Sequence, residues 1–326
     1  MVRILIFGAS GFVGYPIVQA LRRHGHTVYA VTRTEEKTIE LSKQEIIPIL
    51  GDARQPETWV PALDLVDIVI DSSSSFGGLS EGILKAIKES QRVTSAKKHD
   101  PKIGYLYVSS TWVHGDSPEL VTDRVPVGNH TNRKPLELVG WRPAFEHSVL
   151  QSKDVLDVAI LRAGVVFGGC SSRSLFGLWW APFVEALKAN KFNEPVTIKG
   201  RPDASVALVH KHDFAQAILN AVEKFEVVSQ IHYPVFDVVS GHESLGDINK
   251  AAANVLGFTG EIKYQAPAAD DHFGNATSSS LLIDSTRSQS YLDWQPKHTS
   301  LIKDPEVYVK AYLYSTDYYT SVTNSN

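Results

Sequence analysis

The chain opens on MVRILIFGASGFVG. Arg3 to Phe7 form a short, branched apolar run, suited to a strand covered on both faces. Directly after it come Gly8, Gly11 and Gly14, spaced G-x-x-G-x-x-G. Val13, Ile17 and Leu21 then recur at helical spacing until Gly25 stops the helix. Thr27 to Thr32 read as a second strand. Strand, glycine loop, helix, strand is the start of a parallel βαβ unit, and little else accommodates it.

Each glycine has a physical role in such a unit. Gly8 permits the tight turn out of the strand, Gly11 lets backbone N–H groups approach a pyrophosphate, and Gly14 lets the helix pack close to the sheet. With Ser10, Phe12 and Val13 they form the loop assigned here to a dinucleotide. The end of the second strand then selects the ligand. A carboxylate is expected there if a ribose 2′-hydroxyl is to be bound, but Thr32 and Arg33 stand in its place. The planar fork of arginine suits a 2′-phosphate, so NADP(H) is favoured over NAD(H). The competing reading is a solvated Arg33, with Glu35 or Glu36 taking the ribose. Asp52 and Ala53, after a third strand at 46–50, are placed by the adenine, although Asp52 could equally cap a turn.

The strand–helix rhythm continues. Strands are expected at 66–71, 104–109, 158–161, 206–209 and 236–239, with helices at 79–94, 144–152, 182–189 and 213–225. This alternation predicts an α/β fold, a Rossmann-type doubly wound parallel sheet with a smaller interleaved C-terminal α/β substrate lobe. Residues 1–169, completed by segments near 206–240, are assigned to NADP(H) binding. Residues 170–205 and 241–326 are assigned to the substrate lobe, and the polar tail from Thr316 is expected to fray.

Composition narrows the partners. Of the 326 residues, 21% are charged and the formal net charge is -4, which offers no electrostatic reason for nucleic acid or an anionic membrane. No apolar run approaches the about 18 residues of a membrane span. The sole cysteine, Cys170, excludes an intrachain disulfide and suits a reducing compartment, so a cytoplasmic location is expected. A small-molecule substrate is the expected partner, with a homodimer as the form of self-association considered.

The segments GASGFVG (8–14), GDAR (51–54), YVSSTWVHG (107–115), ILRAGVVFG (160–168), LVHKHDFAQAI (208–218) and YLDWQP (291–296) occur in an order that resembles the extended short-chain dehydrogenase/reductase family, with its epimerases, dehydratases and reductases. The resemblance covers nearly the whole chain. It implies that Ser110 hydrogen-bonds the substrate oxygen, with Thr111 beside it, and that His114 replaces a usual tyrosine before Gly115. It implies that the backbone around Ala163, Val165 and Val166 lies by the nicotinamide carboxamide. It also implies that Ser72, Ser73 and Ser74 run along the cofactor; a flexible loop is the plainer reading of that serine run.

The resemblance fails at one point. The family's catalytic Tyr-x-x-x-Lys is absent, since no tyrosine here has a lysine four residues later. Matching Glu146 to the glutamate that often follows in that helix puts Leu138 at the tyrosine position and Arg142 at the lysine position. Leucine transfers no proton, and arginine keeps its charge but is not a base. Pro143 suits a first helical turn, which leaves Leu138 in the preceding loop. Arg142 is therefore read as a ribose ligand, and Ser110 and His114 as the remaining catalytic candidates, His114 being equally readable as a packed loop residue. Trp179 and Trp180 either wall a substrate pocket or fill a core. His210, His212 and Asp213 are too few for a metal reading; Asp213 suits a helix N-cap, and no metal is expected. The functional expectation is hydride transfer between NADP(H) and a carbonyl or alcohol. An epimerase of a sugar nucleotide or related compound, and a catalytically silent NADP(H)-binding sensor or scaffold, remain as alternatives.

Overall fold

A computed structural model describes residues 1–73, 78–124, 126–127, 133–169 and 176–316. Ser74, Cys170 and the tail beyond Thr316 lie outside them. The strands are β1 (Arg3–Phe7), β2 (Thr27–Thr32), β3 (Ile47–Leu50), β4 (Ile68–Asp71), β5 (Gly104–Ser110), β6 (Ser117–Thr122) and β7 (Asp157–Ala163), followed by β8 (Val165–Phe167), β9 (Val196–Lys199), β10 (Ser205–His210), β11 (Val235–Val238), β12 (Gly241–Ser244), β13 (Ile262–Gln265) and β14 (Leu281–Asp284). The helices that frame the site are α1 (Gly14–Arg23), α2 (Glu35–Ser42), α3 (Leu79–Glu89), α4 (Gln91–Thr94), α5 (Arg142–Gln151), α6 (Phe176–Lys188), α7 (Lys211–Glu223) and α8 (Phe225–Gln230).

Seven parallel strands form one sheet in the order β11-β7-β5-β4-β1-β2-β3. The order reverses between β1 and β4, which opens a crevice at their carboxyl ends. The alternation inside β1 explains why both faces are covered. Ile4 and Ile6 point into one core with Ile17, Leu21, Phe214 and Ile218, from α1 and α7. Leu5 and Phe7 point into the other with Ile83, Ile87, Phe145 and Val149, from α3 and α5. A third core, around Trp180, Phe183, Ile198, Leu208 and Leu245, belongs to the second lobe. There β12-β10-β8 form a three-stranded sheet, and β13-β9 and β14-β6 form two pairs.

The chain passes between these cores repeatedly. β7 ends at Ala163, and after Gly164 the backbone continues as β8 in the other lobe. Gly164 is required at this step, because a Cβ there would lie 2.8 Å from the Ala207 carbonyl oxygen. β10 then leads through α7 back to β11 at the edge of the large sheet.

Several local expectations change. The helix expected over 79–94 breaks at Ser90, whose hydroxyl takes the Ile87 carbonyl at 2.6 Å while its backbone turns extended. The helix expected from Pro182 begins at Phe176 and carries Pro182 inside it. Burial of Phe176, Trp179, Trp180, Phe183 and Val184 outweighs the bond lost at proline. α7 begins at Lys211, capped by His210, whose Nδ1 accepts the His212 N–H. Asp213 is therefore not the N-cap. Its carboxylate accepts the N–H groups of Lys297 and His298, and its carbonyl accepts the Trp294 indole N–H.

The large sheet has a charged centre. Arg162 of β7 is fully buried, and its guanidinium donates to both oxygens of Glu146 on α5 at 2.6–3.2 Å. It also lies 3.5 Å from Asp237 of β11. Removing one partner of a buried ion pair strands the other charge and costs about 3–5 kcal/mol. Glu146→Leu should therefore lose about that much stability in denaturant titration, and Arg162→Met added to it should restore most of the loss. A single variant as stable as the parent would show that the pair does not hold α5 to the sheet.

Candidate functional site

The glycine loop closes the crevice between β1 and β4. Gly8 sits at φ +81°, and its N-terminal neighbour's carbonyl, on Phe7, accepts the Ser72 hydroxyl at 2.6 Å. A Cβ on Gly8 would lie 2.7 Å from the Ser72 carbonyl oxygen, and one on Gly14 would lie 2.1 Å from the Gly8 carbonyl oxygen. Loop, helix start and β4 end thus touch backbone to backbone. Gly11 meets only the Gly8 carbonyl, at 3.1 Å, so its open side faces away from the protein. α1 starts at Val13 with no side-chain cap and no acid in its first turn. Its positive end is left for an anion, the arrangement a pyrophosphate needs.

Ser10 is exposed and Phe12 half-buried, and both line a cavity of about 490 Å³ with Gly11, Tyr15 and Lys211; Val13 is half-buried and packs against the core beneath the loop. Arg33, just past β2, is exposed and has no carboxylate partner among the described residues. Asp52 accepts the Arg54 N–H at 2.9 Å, so one of its oxygens stabilises the turn after β3. Ala53 is half-buried, with its carbonyl taken by the Trp59 indole. Ser72 is buried against the loop, and Ser73 donates its hydroxyl to Asp71 at 2.5 Å. Neither of these hydroxyls is free for a ligand.

The substrate side is built on the end of β5. Ser110 pairs in register with Ala163 and remains half-exposed. Its oxygen accepts the Trp112 N–H at 3.3 Å, which leaves the hydroxyl proton available to another acceptor. Thr111, expected beside it, is buried instead, with its hydroxyl turned to the Ala163 carbonyl. Val165 is buried in the second lobe's core and Val166 is half-buried. Trp179 and Trp180 are each 1% exposed and pack with Phe176 and Tyr312. They fill the lobe's core together with Phe183 and Phe258 and do not wall a pocket.

The two remaining catalytic candidates are both buried. Arg142 opens α5, with Pro143 behind it in the first turn and Leu138 in a preceding 3₁₀ turn, as expected. Its guanidinium is buried, though, and donates to the Tyr107 hydroxyl at 2.5 Å and the Val108 carbonyl at 3.3 Å, stacked on Trp141. Both bonds use Nη1, and the buried Nε has no partner, so donor capacity remains on this side chain. Burial pushes the Tyr107 hydroxyl well above the usual tyrosine range, with Arg142 only partly offsetting it, so this tyrosine does not substitute for the missing acid. His114 is 8% exposed, and its Nε2 lies 2.7 Å from Asp237. It is packed into the charged centre of the sheet.

That centre was not foreseen from the sequence. Burial raises the Asp237 carboxyl, but His114 and Arg162 outweigh this and hold it below the usual range. Asp123, which accepts the Asp237 N–H at 2.8 Å, goes the other way. Burial, with the Asp237 charge adding to it, pushes Asp123 up to about 7, against the pull of Arg287. The available signal was Arg162 and Asp237 themselves, charges inside the apolar runs ILRAG and VFDVV.

His210, Asp213 and His298 bring nitrogen and oxygen atoms within 4.8 Å of one another. The His210 and His298 rings are stacked, with centroids 3.9 Å apart and 27° between planes, so their in-plane lone pairs run side by side and do not converge on one point. Asp213 is already held by the Lys297 and His298 amides. The group clamps residues 292–298 onto α7. Burial, with His298 and His212 adding to it, pushes His210 down to about 3, which keeps its ring neutral in the clamp.

Comparison with known proteins places this geometry. Residues 4–235 match the description "NAD dependent epimerase/dehydratase family". Photosystem II assembly factor Ycf39 of Synechocystis is 36% identical over 73 residues, so the chain spans only 22% of that protein's length. Isoeugenol synthase 1 of Petunia hybrida is 25% identical over 270 residues, 79% of this chain and 72% of that one. The crystal structure of dTDP-glucose 4,6-dehydratase from Bacillus anthracis in complex with NAD superposes with a TM-score of 0.71, at 14% identity, over 99% of this chain and 100% of that one. At that identity the likeness shows the fold. Among the described residues no helix is long and apolar enough to cross a membrane.

The raised Asp123 carboxyl has a definite sign. The folded chain keeps this proton up to about pH 7, whereas the unfolded chain releases it near about pH 4. Its contribution to stability is therefore present below pH 4 and lost as pH rises to 7. Asp123→Asn should flatten the fall in Tm over that interval. An unchanged slope would show that Asp123 ionises normally.

Proposed function

The chain belongs to the NAD dependent epimerase/dehydratase family, enzymes of the extended short-chain dehydrogenase/reductase type that use a nicotinamide dinucleotide, and from that premise we propose that it is an NADP(H)-dependent oxidoreductase acting on a carbonyl or alcohol group of a small molecule. The observation that carries the reading is Ser110. It is a half-exposed hydroxyl at the carboxyl end of β5, beyond the same sheet edge as the glycine loop. Arg33 supports the choice of NADP(H), because an exposed guanidinium without a carboxylate partner matches a 2′-phosphate.

A nicotinamide held there would supply or accept a hydride at the carbon of a C–O group, with one proton moving on or off the oxygen to balance it. The protein's part is to hold and polarise that oxygen. Ser110 donates its hydroxyl hydrogen to it, while the Trp112 N–H keeps the serine oxygen oriented. Water is the proton carrier in this reading, because Leu138 has no proton to give, the Tyr107 hydroxyl is pushed up by burial, and His114 is held by Asp237. The lone Cys170 suits a reducing, cytoplasmic compartment, and the fold would serve equally in a homodimer. Leu138 itself favours a second reading, a dinucleotide-binding protein without turnover.

Arg33→Ala should lower the affinity for NADPH by about tenfold while leaving that for NADH nearly unchanged, as read by fluorescence titration. An unaltered ratio between the two would remove Arg33 from the 2′-phosphate. Once a substrate is found by screening aldehydes, ketones and sugar nucleotides for NADPH oxidation, Ser110→Ala should reduce kcat by ~10²–10³-fold, the usual loss of one pre-aimed donor. A variant at full speed would move the reacting oxygen away from β5. Wild-type protein that binds NADPH and turns over nothing in the panel would favour the second reading.

A further inference from the structure

Lys211 is the first residue of α7, and it lies across the cofactor side of the molecule. Helices α1 and α7 pack side by side and run the same way. Glu223 at the end of α7 reaches His24 and His26 beyond the end of α1, and Lys211 at the start of α7 reaches Phe12 before the start of α1. The Lys211 ammonium sits 6.0 Å from the centre of the Phe12 ring. Its stem rests on Gly169, at φ +68°, where a Cβ would lie 2.1 Å from the Lys211 Nζ and 2.8 Å from its Cε. The next glycine back, Gly168 at φ +101°, leaves the matching space for the His210 ring. Two glycines therefore form the floor over which Lys211 passes from the end of β8 to the glycine loop.

The charge at the tip of that side chain is uncommitted. Lys211 forms no ion pair or hydrogen bond among the described residues, although Glu40 lines the same cavity. The cavity's other wall is Ser10, Gly11 and Phe12, beside an uncapped helix start with no acid in its first turn. Two sources of positive potential, the end of α1 and the Lys211 ammonium, thus face one space. A lone cation near a positive helix end is repelled unless an anion lies between them.

We propose that Lys211 is a cofactor-binding residue, an ionic clasp that closes from the second lobe's side of the fold onto the pyrophosphate of the bound dinucleotide. This rests on the dinucleotide-binding reading above. The clasp supplies the mobile half of the anion site, a point charge on a flexible stem, while the backbone of the glycine loop supplies the fixed half. Its placement also couples the end of β8 to the loop, since both Gly169 and Phe12 are in reach of one side chain.

The test uses the full-length protein and three ligands. Lys211→Met keeps the stem and removes the charge. It should weaken NADPH and NADH alike by about tenfold, as expected for one partly exposed charge-assisted contact. It should also reduce the salt dependence of binding. Lys211→Arg should restore most of the affinity. Adenosine 2′-monophosphate, which carries the 2′-phosphate but neither phosphate of the pyrophosphate, should bind wild type and Lys211→Met equally. Wild-type affinity for NADPH in Lys211→Met would overturn the clasp while leaving the cofactor reading intact. An equal loss for the 2′-monophosphate would also overturn it, by moving the contact away from the pyrophosphate. A wild-type protein that binds neither NADPH nor NADH would overturn both readings at once.

Discussion

A guanidinium with no access to water must be answered by carboxylates, or the sheet around it does not form. Arg162 imposes that condition at the centre of this fold. Removing such a charge from water costs several kcal/mol, which only close opposite charges and hydrogen bonds offset. Glu146 answers from α5, and Asp237 from β11. Asp237 in turn engages His114, at the turn after β5, and receives its own backbone support from Asp123. Five segments of the chain, between residues 114 and 237, are brought to one point. α5 is held at the angle that directs Arg142 inward, and the turn after Ser110 is held at its far end. The position of the Ser110 hydroxyl at the sheet edge follows from a buried charge cluster behind it.

That dependence also explains why the proton chemistry differs from the family pattern. The segment that would carry the tyrosine and lysine still starts a helix at the expected place. With Leu138 and Arg142 in those positions, the helix start has become part of the packing. Arg142 stacks on Trp141 and bonds Tyr107 through one nitrogen of its guanidinium. The accessible polar group at this edge is the Ser110 hydroxyl, and the glycine loop keeps the close backbone packing described above. The two rest on different parts of the sheet, the loop after β1 and the ends of β5 and α5.

The large sheet was legible in the sequence because its strands are buried on both faces and read as unbroken apolar runs, as RILIF and YLYV do. The second lobe's strands were not. β6, β9 and β12 to β14 are short, and several alternate buried and exposed residues weakly, so nothing in SPELVT or GHES separates a strand from a loop. The glycine loop was legible down to individual roles, since each glycine answers a local steric demand. The charged centre was only half legible. A buried arginine announces that partners exist, but His114 and Asp237 are 123 residues apart, and no local pattern names the pair. Thr111 and the two tryptophans show the same limit. Their chemistry suits a site or a core, and only the direction of the side chain decides.

The clamp at Asp213 bears on how the molecule is made. Through it the first lobe's helix α7 holds the amides of Lys297 and His298 and the indole of Trp294. Domains tend to fold as units in the order of their synthesis. Here α7 covers α1 on one face of the nucleotide-binding sheet, and its own fastening arrives near the end of the chain. A nascent polypeptide emerging from the ribosome can lay down β1 to β5 early, but it cannot finish that face until the stretch around residue 298 has been translated. A chain cut short before that stretch would leave α7 without the fastening that Asp213 provides.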